Sequence, residues 1–176
     1  MNNKLKKILK AREARYLFRC NLQQKYKLPV VVITLNIPGP DKNNQLINKV
    51  FPKIIAEITE MFLEINIIIN QKIIRSSAAG PEAFLGLEFK GDYYNLKREL
   101  IKIEQSHYLG RLLDLDLYRS DGRAVSRKSI ARKERQCLLC EANARTCIIE
   151  KRHSSAELKQ KIKTMILKYL NPTGSV

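Results

Sequence analysis

"GRLLDLDLY" (residues 110–118) sets two acids one residue apart in an otherwise apolar run. Leu113, Leu115 and Leu117 alternate with Asp114 and Asp116, and a period of two belongs to a strand rather than a helix. On a strand the leucines enter a core while both carboxylates project together from the other face. Two ionised carboxylates this close repel. A hard divalent cation such as Mg2+ relieves the repulsion and supplies an electrophile for phosphate oxygens, as phosphoryl and nucleotidyl transferases require. The plainer alternative is a half-exposed strand whose acidic face is solvated and paired with basic neighbours. Acids are scarce in the chain, and Arg111, Arg119, Arg123 and Arg127 surround the pair.

The segments on either side of this strand follow the same rules. "LPVVVITLNIPG" (28–39) reads as a strand, opened by Pro29 and ended by Pro38-Gly39-Pro40. Residues 43–65 carry Leu46, Ile47, Val50, Ile54, Ile58, Met61, Phe62 and Ile65 at helical spacing, and Pro52 predicts a kink or restart. "INIIINQKIIR" (65–75) and "EAFLGLEF" (82–89) are further strands, and "DYYNLKRELIKIEQ" (92–105) is a helix with Asp92 as N-cap. After residue 118, "SDG" (120–122) marks a turn and "RAVSR" a short hairpin partner.

The order βαββαβ predicts a single α+β domain. Its core is a split βαβ, ferredoxin-like mixed sheet with added N- and C-terminal helices. The basic N-terminal helix occupies 1–27, the α+β core 28–130, and a Cys/His segment with a last helix 131–176. The first helix is expected to pack an amphipathic stripe of Leu5, Ile8, Leu9, Tyr16 and Cys20. The last (154–170) offers Leu158, Ile162, Ile166 and Leu170, and stops before Asn171-Pro172.

A chain of 176 residues suits one domain with a real core, and 44% hydrophobic residues excludes a disordered one. No apolar stretch approaches the roughly 20 residues of a membrane-spanning helix, and the N-terminus is too charged for a secretory signal. Four cysteines without an export signal point to a reducing cytoplasm. The net charge of +16 is uneven: residues 1–27 hold nine Lys/Arg against one acid, and 119–152 hold ten against four. Such a field attracts a nucleic acid, a phosphorylated small molecule or an acidic protein. It also fits a composition that simply favours Lys, Ile and Asn.

Cys137, Cys140, Cys147 and His153 have a C-x2-C-x6-C-x5-H spacing. Three thiolates and an imidazole make a closed tetrahedral zinc set. Equally, 137–146 reads as a helix whose cysteines serve as small apolar core residues. His107, just before the fourth strand, is placed to take a proton from an attacking hydroxyl. A surface histidine at a helix C-terminus explains it as well.

Several blocks together resemble the apo-citrate lyase phosphoribosyl-dephospho-CoA transferase family, also called citrate lyase holo-acyl-carrier-protein synthases. They are "AREAR" (11–15), "NIPGPDKN" (36–43), "SAAGPEAFLGL" (77–87), "SHYLGRLLDLDLY" (106–118), "SR" (126–127) and "RQCLLCE" (135–141). Cys147 and His153 also fall where that family tends to have them. Tyr108 departs from the pattern, since the family usually carries proline there.

The resemblance implies a nucleotidyl transfer. The donor would be 2′-(5″-triphosphoribosyl)-3′-dephospho-CoA, and the acceptor a serine hydroxyl on the acyl carrier subunit of apo citrate lyase. A phosphodiester forms and pyrophosphate leaves. On this reading Asp114 and Asp116 hold Mg2+, and Arg111 and Arg127 clamp the triphosphate. Gly80 and Gly110 then let the backbone approach the substrate, or are simple turns. Acyl carrier proteins are generally acidic, which suits a basic partner. Family members are also compared with nucleotidyltransferases, whose sheet order differs, so a nucleotidyltransferase-like sheet is the alternative fold. Two other functions stay open: a basic RNA-binding module, although aromatic interleaving is sparse, and a zinc-stabilised interaction protein without catalysis.

Overall fold

The computed structural model describes residues 3–130, 136–140 and 142–172. In chain order the elements are α1 (Asn3–Tyr26), β1 (Val30–Leu35), α2 (Gln45–Glu64), β2 (Ile68–Ser77), β3 (Gly80–Glu88) and α3 (Tyr93–Ser106). β4 (Leu113–Tyr118), β5 (Ala124–Val125), α4 (Ala144–Ile149) and α5 (Ser155–Leu170) follow. The strands form one open sheet in the order β2-β3-β1-β4-β5. β1 and β2 point the same way, but β3 lies between them, so every described pairing is antiparallel. This corrects the expectation of a mixed sheet. The expected hairpin partner at "RAVSR" is β5, which pairs with Leu117 and Tyr118.

β4 starts later than its apolar run suggests, because Gly110–Leu112 form a 3-10 turn. Within β4, Leu113, Leu115 and Leu117 are buried, Asp114 is half-buried and Asp116 exposed, so the alternation is observed as read. α2 is one helix through Pro52, with no restart. Proline inside a helix costs about 3 kcal/mol. Val50, Phe51, Ile54 and Ile55 around it are fully buried, and each such side chain contributes about 1.5–3 kcal/mol, so burial outweighs the lost hydrogen bond. Asn44 caps α2, Asp92 caps α3 as expected, and Ser154 and Glu157 close a capping box on α5.

The two faces of the sheet differ in character. One carries Val31, Ile33, Leu85, Leu113, Leu115 and Leu117 against apolar residues of α2, α3 and α5, and forms the main core. The other carries a small apolar group, Val30, Val32 and Phe84, met by Phe18 and Leu22 of α1. Only part of the expected stripe on α1 packs: Ile8 is buried and Cys20 half-buried. Leu5, Leu9 and Tyr16 are exposed, whereas Ile8, Arg19 and Gln23 are buried. The physical reason lies underneath: this face presents Glu82, Asp114 and Asp116, so α1 answers with cations as well as aromatic rings. Arg15 pairs with Glu82 at 2.5 Å, and Arg19 lies 4.0 Å over the ring of Tyr118. β3, covered on both faces, is buried from Gly80 to Leu87.

β5 is too short to cover the outer edge of β4. Side chains of α3 do so instead. Lys97 Nζ donates to the Leu115 carbonyl at 2.7 Å, and the Leu115 N–H donates to Glu104 Oε1 at 2.9 Å. A sheet edge left unpaired and buried would be costly, so these buried charged residues complete the strand that carries the aspartates.

Candidate functional site

Asp114 and Asp116 open onto a cleft of about 600 Å³ along the β4–β5 edge. Tyr118, Arg127, Lys128 and Arg145 share its lining, and Asn143, Ile148 and Ile149 bring α4 in as the opposite wall. Burial first, then Asp116, pushes the Tyr118 phenol above its ordinary range, while Arg19 works in the opposite sense. Two hard carboxylate donors on one strand face, walled by cations, suit a divalent ion carrying phosphate oxygens.

The same face continues inward as a polar row. Thr34 of β1 is cross-strand partner to both Asp114 and Glu82, and Glu82 is partner to Arg75. Glu82 is fully buried and takes Arg75 NH2 at 2.6 Å as well as Arg15. Lys42 lies nearby, its amine held below its ordinary range by burial and by Arg12 and Arg15. Sequence reading did not single out Lys97, Arg145 or this Arg15–Glu82–Arg75 group. Arg15 ends one family-like block and Glu82 lies within another, and their meeting is the signal that was available.

The remaining candidates divide. Arg127 borders the cleft, and its guanidinium pairs with buried Glu104. Arg111 donates to the carbonyls of Gln136 and Cys137, tying the turn before β4 to the cysteine segment. His107 caps α3, but it is buried rather than at the surface and is not among the residues lining the cleft. Its Nδ1 accepts the Leu109 N–H at 3.0 Å, and Nε2 faces Glu57 at 3.1 Å with the Tyr169 ring beside it. Burial lowers its basicity and outweighs Glu57, which acts to raise it.

Both glycines make room for protein backbone. A Cβ on Gly110 would stand 1.8 Å from the Glu104 carbonyl oxygen. Gly80 has φ +98° at the β2–β3 turn, where a Cβ would stand 3.0 Å from the Lys42 carbonyl oxygen.

The Cys/His segment is not the helix expected over 137–146. Residues 137–140 form an irregular loop closed by Cys137 N–H to Ala142 O at 2.7 Å, and α4 begins only at Ala144. The ligand atoms of Cys137, Cys140, Cys147 and His153 lie within 4.8 Å of one another. Burial acts to raise the Cys137 thiol, but the backbone N–H groups of Leu139 and Cys140 and the neighbouring thiols bring it to about 6. Burial and the other two thiols push Cys147 up to about 11. Arg135 and Glu141 of the family-like block lie outside the described residues.

Residues 3–169 match the family model described as apo-citrate lyase phosphoribosyl-dephospho-CoA transferase. A protein of Vibrio cholerae, described as a probable transferase of that name, is 33% identical over 94% of this chain and 92% of its own length. The apo-citrate lyase phosphoribosyl-dephospho-CoA transferase of Citrobacter koseri is 30% identical over 78% of this chain and 74% of its own. Protein CitXG of Haemophilus influenzae is 34% identical over 92% of this chain but only 34% of its own length. The chain thus spans about a third of the length of the first curated relatives it matches. The match runs from α1 to the end of α5, through both the aspartate cleft and the cysteine cluster, and the chain belongs to the apo-citrate lyase phosphoribosyl-dephospho-CoA transferase family.

Proposed function

We propose that this chain is the transferase its family name describes. It takes 2′-(5″-triphosphoribosyl)-3′-dephospho-CoA and joins the phosphoribosyl-dephospho-CoA group to a serine of the apo acyl carrier subunit of citrate lyase. The serine oxygen attacks the phosphorus next to the ribose, a phosphodiester forms, and pyrophosphate leaves. The observation that carries the reading is the placement of Asp114 and Asp116 together on the wall of a cation-lined cleft, in a chain of this family.

In this reading Asp114 and Asp116 hold Mg2+, which when bound draws charge from phosphate oxygens. Arg127 and Arg145 meet the polyphosphate, since guanidinium matches phosphate oxygens in pairs. Arg127 is held in position by Glu104. Arg111, His107, Gly80 and Gly110 are assigned to the frame around the cleft rather than to the substrate, because their observed partners are protein groups. We read β1–β4 with α2 and α3 as the split βαβ, ferredoxin-like arrangement rather than a nucleotidyltransferase-like sheet, on their strand order and antiparallel pairing. The carrier approaches over α4, where Ile148 and Ile149 are exposed at the rim of the cleft beside Arg145 and Lys128. An acidic carrier complements that basic, apolar rim.

The RNA-binding alternative fares worse, because α1 lies across the sheet face that would stack bases. Among the described residues no helix is long and apolar enough to cross a membrane. Mass spectrometry of the apo carrier, incubated with the chain, Mg2+ and the triphosphoribosyl donor, tests the proposal. A mass gain equal to the prosthetic group, with pyrophosphate released, is expected. An unmodified carrier under conditions where a characterised family member modifies it would overturn the reading.

A further inference from the structure

We propose that Cys137, Cys140, Cys147 and His153 bind one Zn2+, and that this ion fixes α4 as the wall of the aspartate cleft. The four ligands come from the loop before α4, from α4 itself and from the segment entering α5, and their donor atoms converge within 4.8 Å. In a tetrahedral zinc–thiolate site neighbouring sulfurs stand about 3.8 Å apart, as bonds of about 2.3 Å require. Small side-chain rotations therefore close the site.

Two observations separate a metal site from cysteines used as packing residues. Cys137 and Cys147 are buried, yet among the described residues neither joins the two apolar clusters of the sheet, and their sulfurs lie beside each other and beside the donor atoms of Cys140 and His153. In addition, His153 Nε2 is buried without a hydrogen-bond partner among the described residues. A buried polar nitrogen left unpaired loses its hydration with nothing in return, and native proteins rarely accept that. A zinc ion supplies the partner and makes three converging thiols useful.

The second half of the proposal follows from how poorly α4 is otherwise anchored. It has six residues, far fewer than an isolated helix needs. Its large apolar side chains do not hold it down: Ile148 is 72% and Ile149 70% exposed, and Cys147 is its buried residue. Among the described residues its ties include the Asn143 cap and a backbone bridge from Asn143 to Gln136. Ligation of Cys147 ties α4 to the loop at Cys137 and Cys140. Arg111 in turn ties that loop to the turn opening β4. The ion thereby links the wall of the cleft to the strand bearing Asp114 and Asp116. The inference does not depend on the transfer reaction.

The test uses the full chain purified under reducing conditions. Elemental analysis is expected to find one zinc per chain, with loss of zinc in Cys147→Ser and His153→Ala. Because those variants are also exposed to misfolding, the wild-type chain is loaded with Co2+ in parallel. The expected spectrum shows thiolate-to-cobalt charge transfer and intense tetrahedral d–d bands. Hydrogen exchange is then compared with and without metal. Removal should speed exchange in residues 143–149 while β1, β3 and β4 keep their protection. A stripped chain that takes up no zinc, or a weak octahedral cobalt spectrum, overturns the site. Unchanged exchange in α4 on metal removal overturns its coupling to the cleft.

Discussion

Replacing Glu82 by Gln probes the polar face of the sheet most directly. The Glu82 side chain is fully buried, and its oxygens receive Arg15 Nε at 2.5 Å and Arg75 Nε and NH2 at 3.1 and 2.6 Å. Glutamine keeps the volume but loses the charge, and it turns an amide NH2 toward a guanidinium. Removing one partner of a buried ion pair costs about 3–5 kcal/mol. The Arg15 and Arg75 side chains are 21% and 29% exposed, so water recovers part of their solvation and the lower end applies, about 3 kcal/mol. That is a large share of the roughly 5–15 kcal/mol that holds a domain folded. For a chain of this size it lowers Tm by about 6–12 °C. Urea denaturation followed by circular dichroism, with calorimetry, measures both. The double variant Arg75→Gln/Glu82→Gln should lose clearly less than the sum of the single losses, because the two residues touch. A loss below about 1 kcal/mol for Glu82→Gln, or strict additivity, would show that the face is held by Phe18, Phe84 and Val32 alone.

Asp116 is exposed, so Asp116→Asn should leave Tm nearly unchanged yet lower kcat for carrier modification by about 10³ or more, equivalent to about 4 kcal/mol. A rate within a few-fold of the parent would remove the metal-binding role. Gly110→Ala must push α3 away from the 3-10 turn, since the new Cβ would stand 1.8 Å from the Glu104 carbonyl oxygen. A stability loss of about 3 kcal/mol or more in urea denaturation is expected, and a benign substitution would contradict the packing described. His107 has a folded-state pKa below its unfolded value, because burial disfavours its charged form. The unfolded chain therefore binds the proton first, and stability falls as pH drops through and below about 6.5. Denaturation curves from about pH 7.5 to 5.5 should slope less for His107→Asn than for the parent, and parallel slopes would count against the assignment. Ile148→Ser/Ile149→Ser should raise KM for the carrier about tenfold while leaving KM for the nucleotide donor alone. Equal shifts in both would place the carrier elsewhere.

Much of this protein is legible along its sequence because strand and helix periods are local properties. The leucine–aspartate alternation of β4 fixed which way Asp114 and Asp116 point before any neighbour was known. Asp92 announced the start of α3, and the C-x2-C-x6-C-x5-H spacing marked out the four side chains whose ligand atoms meet. The family resemblance rested on blocks scattered from residue 11 to residue 141, and the match over residues 3–169 agrees with it.

Other features depend on contacts between distant segments, and there local patterns misled. α1 was read by an apolar stripe, of which Ile8 is buried but Leu5, Leu9 and Tyr16 are exposed; Phe18 and Leu22 meet the sheet instead, and Arg15 answers its buried Glu82. Pro52 predicted a kink or a restart, but with its neighbours buried against the sheet α2 does not restart there. His107 is close to the aspartates in sequence, yet it caps α3 before the 3-10 turn that opens β4 and packs with Glu57 and Tyr169, not among the residues lining the cleft. The sequence by itself determined the carboxylate pair and the thiol spacing, because each is set by the geometry of a single segment. Only the tertiary structure brought α4 against β4 to make a cleft and brought Arg15 onto Glu82, because those arrangements join residues tens of positions apart.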